Sequence, residues 1–331
     1  MRPFSYARAT DVATASLAAQ RPGAMLLGGG TNLVDLMKLD VLRPSALVDV
    51  TELGLDRIEH GADGGVRIGA GVRNSDLAGD VEIRRRFPLI AEAVLAGASG
   101  QVRSMATTAG NLVQRTRCRY FQDTTKPCNK REPGSGCPAI VGAHRDLAVI
   151  GTSDSCVASH PSDLAVALSA LDAAVHVRRA DGAEQRYPLD DFYRLPGTTP
   201  QRETVLEPGD LITAVSLPAP PEGARMRYRK VRDRASFAFA VVSVAVSLTS
   251  RADGSLIGLS AAFGGVAPKP WRARAVEPAL RGRRPDAELL RAAGRAEFAD
   301  ARPLPRNEFK IDLAADVLAA VVADLGGGAA R

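Results

Sequence analysis

The spacing of apolar and polar positions changes several times along the chain. Residues 24–50 begin with the apolar run "AMLL" and the punctuation "GGGTN". "LVDLMKL" then places apolar residues at helical spacing, and "ALVDV" is a second short apolar run. This predicts strand, glycine-rich turn, helix and strand. "GLDRIEHGADGGVRIGAGV" predicts a hairpin about Asp63-Gly64, and "PLIAEAVLAGA", within 75–98, predicts a helix. "SDLAVALSALDAAV" also has helical spacing. "AAVHVRRADGAEQRYPL" predicts a hairpin turning at Asp181-Gly182. "PAPPEG", residues 218–223, breaks the pattern and marks a linker. Beyond it, "FAFAVVSVAVSLTSRADGSLIGLSAAFGGV" predicts a long hairpin about Asp253-Gly254. From residue 273 the pattern is helical, most strongly in "IDLAADVLAAVVADL". These elements predict an α+β chain with units at 1–220 and 224–331, and no internal repeat.

Composition narrows the classes. The 331 residues are 45% hydrophobic and 24% charged, ordinary for a soluble globular protein. The net charge of +6 comes mostly from scattered Arg interleaved with Asp and Glu, and aromatics are 5%. That combination predicts no nucleic-acid partner, since single-strand binding needs stacking platforms. No run is long enough to insert in a membrane. "MRPFSYARATDVATASLAAQ" lacks an apolar h-region. The expectation is therefore a cytoplasmic protein, with export only alongside a signal-bearing partner.

Three segments carry candidate ligand chemistry. "LLGGGTNL" (26–33) sits between a predicted strand and helix. Its glycines permit positive φ and close approach of an anion to backbone N–H groups. It fits neither dinucleotide fingerprint nor P-loop: Leu33 stands where a third glycine belongs, and no Gly-Lys-Ser/Thr follows. "SMATTAGN" (104–111) offers Thr107, Thr108 and Asn111 around Gly110. In "HPSDLAVAL", Ser162 or Asp163 reads as a helix cap, or Asp163 as an acceptor for a ligand's hydroxyl or ring N–H.

The cysteines are the most unusual feature. All four, Cys118, Cys128, Cys137 and Cys156, fall in one stretch rich in Pro and Gly. No pair is C-x-x-C, which disfavours a zinc ribbon or a thioredoxin-like site. Disulfides are disfavoured without a secretory context. Four thiolates suit a [4Fe-4S] cluster, one per iron. Arg117, Arg119, Lys126, Lys130 and Arg131 would offset its negative charge. Spacing by itself does not separate iron–sulfur from zinc.

"LLGGGTNLVDLMK", "TTAGN", "SDLAVALSALDA" and "LEPGDLITAVSLP", in this order, resemble the FAD-binding subunits of the molybdenum hydroxylases, the xanthine dehydrogenase and aldehyde oxidoreductase family. "RCRYF", "PCNKR" and "GSGC" are similar to the branch in which residues 115–156 would be an insertion holding an extra [4Fe-4S] cluster. The resemblance implies a two-subdomain FAD-binding domain of the vanillyl-alcohol-oxidase/molybdenum-hydroxylase type, plus a smaller α/β C-terminal domain. It implies that Leu26, Leu27, Gly28, Gly29, Gly30, Thr31, Asn32 and Leu33 cradle the FAD pyrophosphate. Thr107, Gly110 and Asn111 would line the flavin and phosphate region, with Thr108 close by. Asp163 would lie near the ribityl and phosphate part, Leu211 and Ile212 near the isoalloxazine, and Lys230 near the cofactor. Cys118, Cys128, Cys137 and Cys156 would be the cluster ligands.

In that family the substrate is oxidised elsewhere. The resemblance implies a large subunit with the molybdenum cofactor, a small subunit with two [2Fe-2S] clusters, and an external electron acceptor. No catalytic residue is expected in this chain, and its four histidines show no ligand pattern. Two rival readings are a stand-alone FAD oxidase of the vanillyl-alcohol-oxidase type and a zinc-stabilised binding module. The first is opposed by the cysteine stretch, the second by the glycine turn.

Overall fold

The structure, a computed structural model, describes residues 1–326. Three sheets organise the chain. A three-stranded parallel sheet holds Ser5–Arg8, Ala46–Asp49 and Ala24–Leu27, in that spatial order. A five-stranded antiparallel sheet runs Ile58–His60, Val66–Gly69, Leu211–Leu217, Ala174–Arg178, Glu184–Pro188. A four-stranded antiparallel sheet runs Trp271–Arg272, Leu256–Gly264, Val242–Ser250, Arg225–Val231. The predicted hairpins at 63–64, 181–182 and 253–254 form. In each, Gly64, Gly182 or Gly254 has positive φ, the conformation Asp-Gly turns favour.

The helix Asp163–Ala170 packs on the third sheet and shares a core with residues of the second. All eight of its residues are buried, as expected where apolar side chains surround a helix. It is shorter than its sequence pattern suggests. Asp172 takes φ 50°, in the left-handed region, and the chain continues as the strand from Ala174. Helical spacing persists there because the strand's buried residues continue the apolar run.

The Pro-rich 218–223 segment is free of strand, but the sheets on either side share a core. Met226, Tyr228, Ala245 and Ala262 pack with the Pro88–Ala96 and Asp163–Ala170 helices. A second core joins the four-stranded sheet to the helices Val276–Leu280, Ala287–Ala296 and Phe309–Gly326. Val149 and Ile150 enter that second core. Val149 N–H donates to Val266 O at 2.7 Å, and Val149 O accepts from Arg302 N–H at 2.8 Å. Lys310, without exposure, donates to Leu147 O at 3.0 Å and Gly265 O at 2.8 Å. The 115–156 stretch is therefore built into the body at its C-terminal end. Among the described residues, no helix is long and apolar enough to cross a membrane.

Candidate functional site

The glycine turn and the 104–111 segment meet edge to edge. A Cβ on Gly29 would lie 1.8 Å from Met105 O, so only glycine allows this approach. Gly30 adopts φ 71°. Arg73 clamps the junction by donating to Met105 O. The N–H groups of Gly28 to Asn32 donate to no protein acceptor among the described residues. They face a cleft with two lobes of about 480 Å³ and 490 Å³. Both lobes touch Thr31, Asn32 and Gly110, so the turn forms the waist between them.

Residues Leu26, Gly28, Gly29, Gly30, Thr31, Asn32, Leu33, Thr107, Gly110, Leu211 and Ile212 line the first lobe. Thr107 Oγ1 accepts from Gly110 N–H at 3.2 Å, which leaves its own hydrogen free to donate. Asn111, Asp163 and Lys230 line the second lobe. Leu211 and Ile212 thus line the first lobe and Lys230 the second, on either side of Thr31, Asn32 and Gly110. Two predicted residues stand outside the cleft. Leu27 packs beneath the turn, its Cδ1 3.4 Å from where a Gly30 Cβ would be. Thr108 is wholly buried, with its hydroxyl on Val72 O at 3.1 Å. Its role is to hold the helix start, because a buried hydroxyl must find an acceptor.

The second lobe is polar at its floor. Asp163 pairs with Lys230 Nζ at 2.8 Å and accepts from Tyr228 Oη at 2.5 Å. Ser162 caps the helix by accepting from Ala165 N–H, and donates to Asn111 Oδ1 at 2.5 Å. Ser162 is therefore the cap, and Asp163 takes donors from Tyr228 and Lys230 at the second lobe. Asn111 Oδ1 also accepts from Gln114, so its amide N–H groups are left for a ligand. Phe237 and Phe239, both exposed, rim the lobe.

Sequence reasoning missed several lining residues. Gly71 comes from "GAGV", read only as part of a hairpin although its glycines signal close backbone approach, and Arg73 directly follows it. Asn74, Arg115 and Phe237 carry no local signal and are assembled by tertiary contacts. Asn32 Nδ2 and Asn74 Oδ1 are buried without a partner. An elongated ligand with donors and acceptors along its length, anionic at its middle, would satisfy both amides and the free N–H groups. FAD fits that description.

A second site lies next to the waist. Arg115 N–H donates to Asn32 Oδ1 at 2.8 Å, and three residues later Cys118 begins a wrap. Cys118, Cys128, Cys137 and Cys156 all line one small space, with Thr116 and Lys130. Side chains strap the wrap to itself. Asn129 Nδ2 donates to Ser155 O at 3.0 Å, and its Oδ1 accepts from Gly136 N–H at 2.7 Å. Arg131 donates to Tyr120 O at 2.5 Å and Phe121 O at 2.6 Å. Leu36, from the helix that follows the glycine turn, is fully buried against this cluster.

Burial pushes the Cys118 thiol up to about 11 and also raises Cys137 and Cys156. Lys130 opposes the rise at Cys156 and is itself tied to Glu203 at 2.7 Å. Of the basic neighbours, Lys130 lines the space. Arg117 instead turns to Asp35 and lies over Phe239. Among the described residues, no three His, Cys, Asp or Glu gather as a single ion would require. A [4Fe-4S] cluster uses one thiolate per iron and so spreads its ligands wider than zinc does. The free space is about 10 Å³, room for about one water, so the wrap must open to admit a cluster. The four histidines make structural contacts elsewhere. His160 meets Tyr193 edge-on, His144 accepts from Arg306 N–H, His176 meets Ser216, and His60 meets Asp80.

A cleft built on a glycine turn, extended by a helix-borne carboxylate and a C-terminal sheet, defines a flavoprotein class. Residues 2–220 match the FAD binding domain in molybdopterin dehydrogenase, and residues 226–325 match the CO dehydrogenase flavoprotein C-terminal domain. The chain belongs to the FAD-binding subunits of the molybdenum hydroxylases, a family of oxidoreductases. It is 51% identical over 325 residues to the aldehyde oxidoreductase FAD-binding subunit PaoB of Escherichia coli, covering 98% of each chain. It is 27% identical to the glyceraldehyde dehydrogenase medium chain of Sulfolobus acidocaldarius, covering 87% of this chain and 84% of that one. A chain of reconstituted CO dehydrogenase from Oligotropha carboxidovorans superposes with TM-score 0.75 at 25% identity, covering 98% of this chain and 99% of that chain. The mixed α+β fold with a smaller C-terminal part is as the resemblance implied.

Proposed function

We propose that this chain is the FAD- and [4Fe-4S]-binding electron-transfer subunit of a molybdenum-dependent aldehyde oxidoreductase complex. Its partners would be a large molybdenum-cofactor subunit and a small subunit with two [2Fe-2S] clusters. The observation that carries the finer part is the gathering of four cysteines, spread over 39 positions, around one small space beside the cleft. The strong similarity to an aldehyde oxidoreductase subunit supports the complex and the substrate class. It disfavours a stand-alone oxidase of the vanillyl-alcohol-oxidase type.

Bound FAD supplies a carrier that exchanges electrons singly or in pairs, and the protein positions it and sets its potential. The chain's own part is binding. N–H groups of Gly28 to Asn32 and the Thr107 hydroxyl face the anionic middle of the cofactor. Asn32 and Asn74 provide the buried amides without partners. We place the flavin ring in the second lobe, where Lys230 donates and Asp163 accepts, and the adenosine end in the first, against Leu211 and Ile212. The units 1–220 and 224–331 remain our reading of the domains, with the second supplying Tyr228 and Lys230 to the flavin lobe.

Iron and flavin in the purified complex test this proposal. Relative to a complex with only the molybdenum site and [2Fe-2S] clusters, about four additional irons per complex are expected, with one FAD. Zinc on the cysteines after anaerobic purification, or no metal, would overturn the cluster. Loss of flavin on purification with an intact fold would overturn the cleft.

A further inference from the structure

Tyr228 has no place in the cofactor set read from the sequence, yet it grips the buried carboxylate of the second lobe. Side chains alternate along the edge strand Arg225–Val231. Tyr228 and Lys230 turn toward the Asp163 helix, while Arg229, between them, pairs with Asp324. Tyr228 Oη donates to Asp163 Oδ1 at 2.5 Å, and Lys230 Nζ donates to Asp163 Oδ2 at 2.8 Å. Each carboxylate oxygen thus has its own donor. Lys230 Nζ uses a second N–H on Ala96 O at 3.2 Å. An ammonium carries three, so one is left, and Lys230 lines the lobe.

The arrangement is tightly enclosed. The Lys230 and Asp163 side chains are 3% and 9% exposed, and Tyr228 is 7% exposed. A carboxylate oxygen stripped of its donor in such surroundings has a high cost. Burial, and then the Asp163 charge, push the phenol far above its ordinary pKa, so it stays a protonated donor.

We propose that Tyr228 is a positioning residue for the flavin: its hydroxyl fixes the Asp163 carboxylate, and Asp163 in turn sets how much positive charge Lys230 presents to the second lobe. The proposal rests on that lobe being the seat of the flavin ring. Reduction adds negative charge to the ring, and an incompletely neutralised ammonium favours the charged form. Without the Tyr228 hydroxyl, Asp163 Oδ1 loses its donor, and the carboxylate draws Lys230 in more strongly. The lobe becomes more negative, and the flavin becomes harder to reduce.

The test is Tyr228→Phe in the purified, FAD-loaded complex, beside Lys230→Met. Y228F should retain stoichiometric FAD and lower the flavin midpoint potential. A tenfold shift toward the oxidised form corresponds to about 30 mV for two electrons. K230M should lower it at least as far. An unchanged potential in Y228F, with K230M shifted, overturns the role of Tyr228 and leaves the lobe assignment standing. Unchanged potentials and full FAD content in both variants overturn the lobe assignment itself. Should Y228F fail to fold, 3,5-difluorotyrosine installed at position 228 is a stronger donor of nearly the same shape. It should raise the potential, and an unmoved potential there overturns the proposal.

Discussion

The glycine cleft and the cysteine wrap lie three residues apart in the chain, between Arg115 and Cys118, but they are built from opposite materials. The cleft is made of backbone: free N–H groups, close glycine contacts, and lobes already large enough for a ligand. The wrap is made of side chains: four thiols around a small space of about 10 Å³, strapped by Asn129 and Arg131. A backbone site is preformed and loses function when something fills it. A thiolate site is assembled by its ligand and loses function when one donor is missing.

The largest effect that would sharpen this contrast is expected from the cysteines. If the proposed cluster is held there, serine at Cys118, Cys128, Cys137 or Cys156 should remove its iron from the complex, and the four variants should look alike. The sequence reading expects metal loss to loosen the whole 115–156 stretch. The structure narrows this, because Leu147, Val149 and Ile150 are held by the C-terminal core. New protease cuts should fall at the exposed Thr124–Lys126 and Glu132–Gly134, and not beyond 146. A series in which only two cysteines matter would break the comparison.

Next comes the cleft. Gly29→Val is a poor probe, since the added Cβ strikes the Met105 carbonyl and harms the fold with or without a ligand. Gly110 is better. A Cβ there meets only Thr107 Oγ1, at 3.0 Å, and the position faces both lobes. Gly110→Val should weaken FAD retention at least about tenfold, roughly 1.4 kcal/mol, while iron stays. Full FAD by absorbance in that variant would remove the waist from the binding site.

Leu36 joins the two regions, on the helix after the glycine turn and in the apolar cluster of Cys118 and Phe121. Leu36→Ala should destabilise by about 3 kcal/mol, within the range for buried leucines. Both flavin and iron content should fall together. If denaturation shows the loss in stability but only one cofactor declines, the regions are independent.

A further effect concerns pH. Burial lowers the Lys310 pKa from 10.5 to about 7. Between those values the folded protein binds fewer protons than the unfolded chain, so this group makes stability rise with pH over that window. Its burial penalty is fully present below pH 7. Denaturant midpoints at pH 6.5 and pH 9 should show wild type gaining on Lys310→Met as pH rises. Parallel pH dependence in the two proteins would show that Lys310 does not titrate there.

Local chemistry determined much of this molecule before any contact formed. Asp-Gly pairs at 63–64, 181–182 and 253–254 turn their hairpins because glycine accepts positive φ there. The strand–turn–helix of 24–38 follows from apolar spacing and three glycines, and the crowding of four cysteines is visible in the sequence itself. Tertiary structure decided what each residue faces. Thr108 and Leu27 belong to the same segments as true lining residues, yet they turn away from the cleft. Asp163 and Lys230 are 67 residues apart and meet because a buried charge needs a partner, whichever strand supplies it. Leu211 and Ile212 fall in the other lobe for the same kind of reason: the five-stranded sheet places them beside the glycine turn. Periodicity depends on near neighbours in the chain, whereas the lining of a cleft depends on which distant surfaces pack together, and that is settled only when the whole core forms.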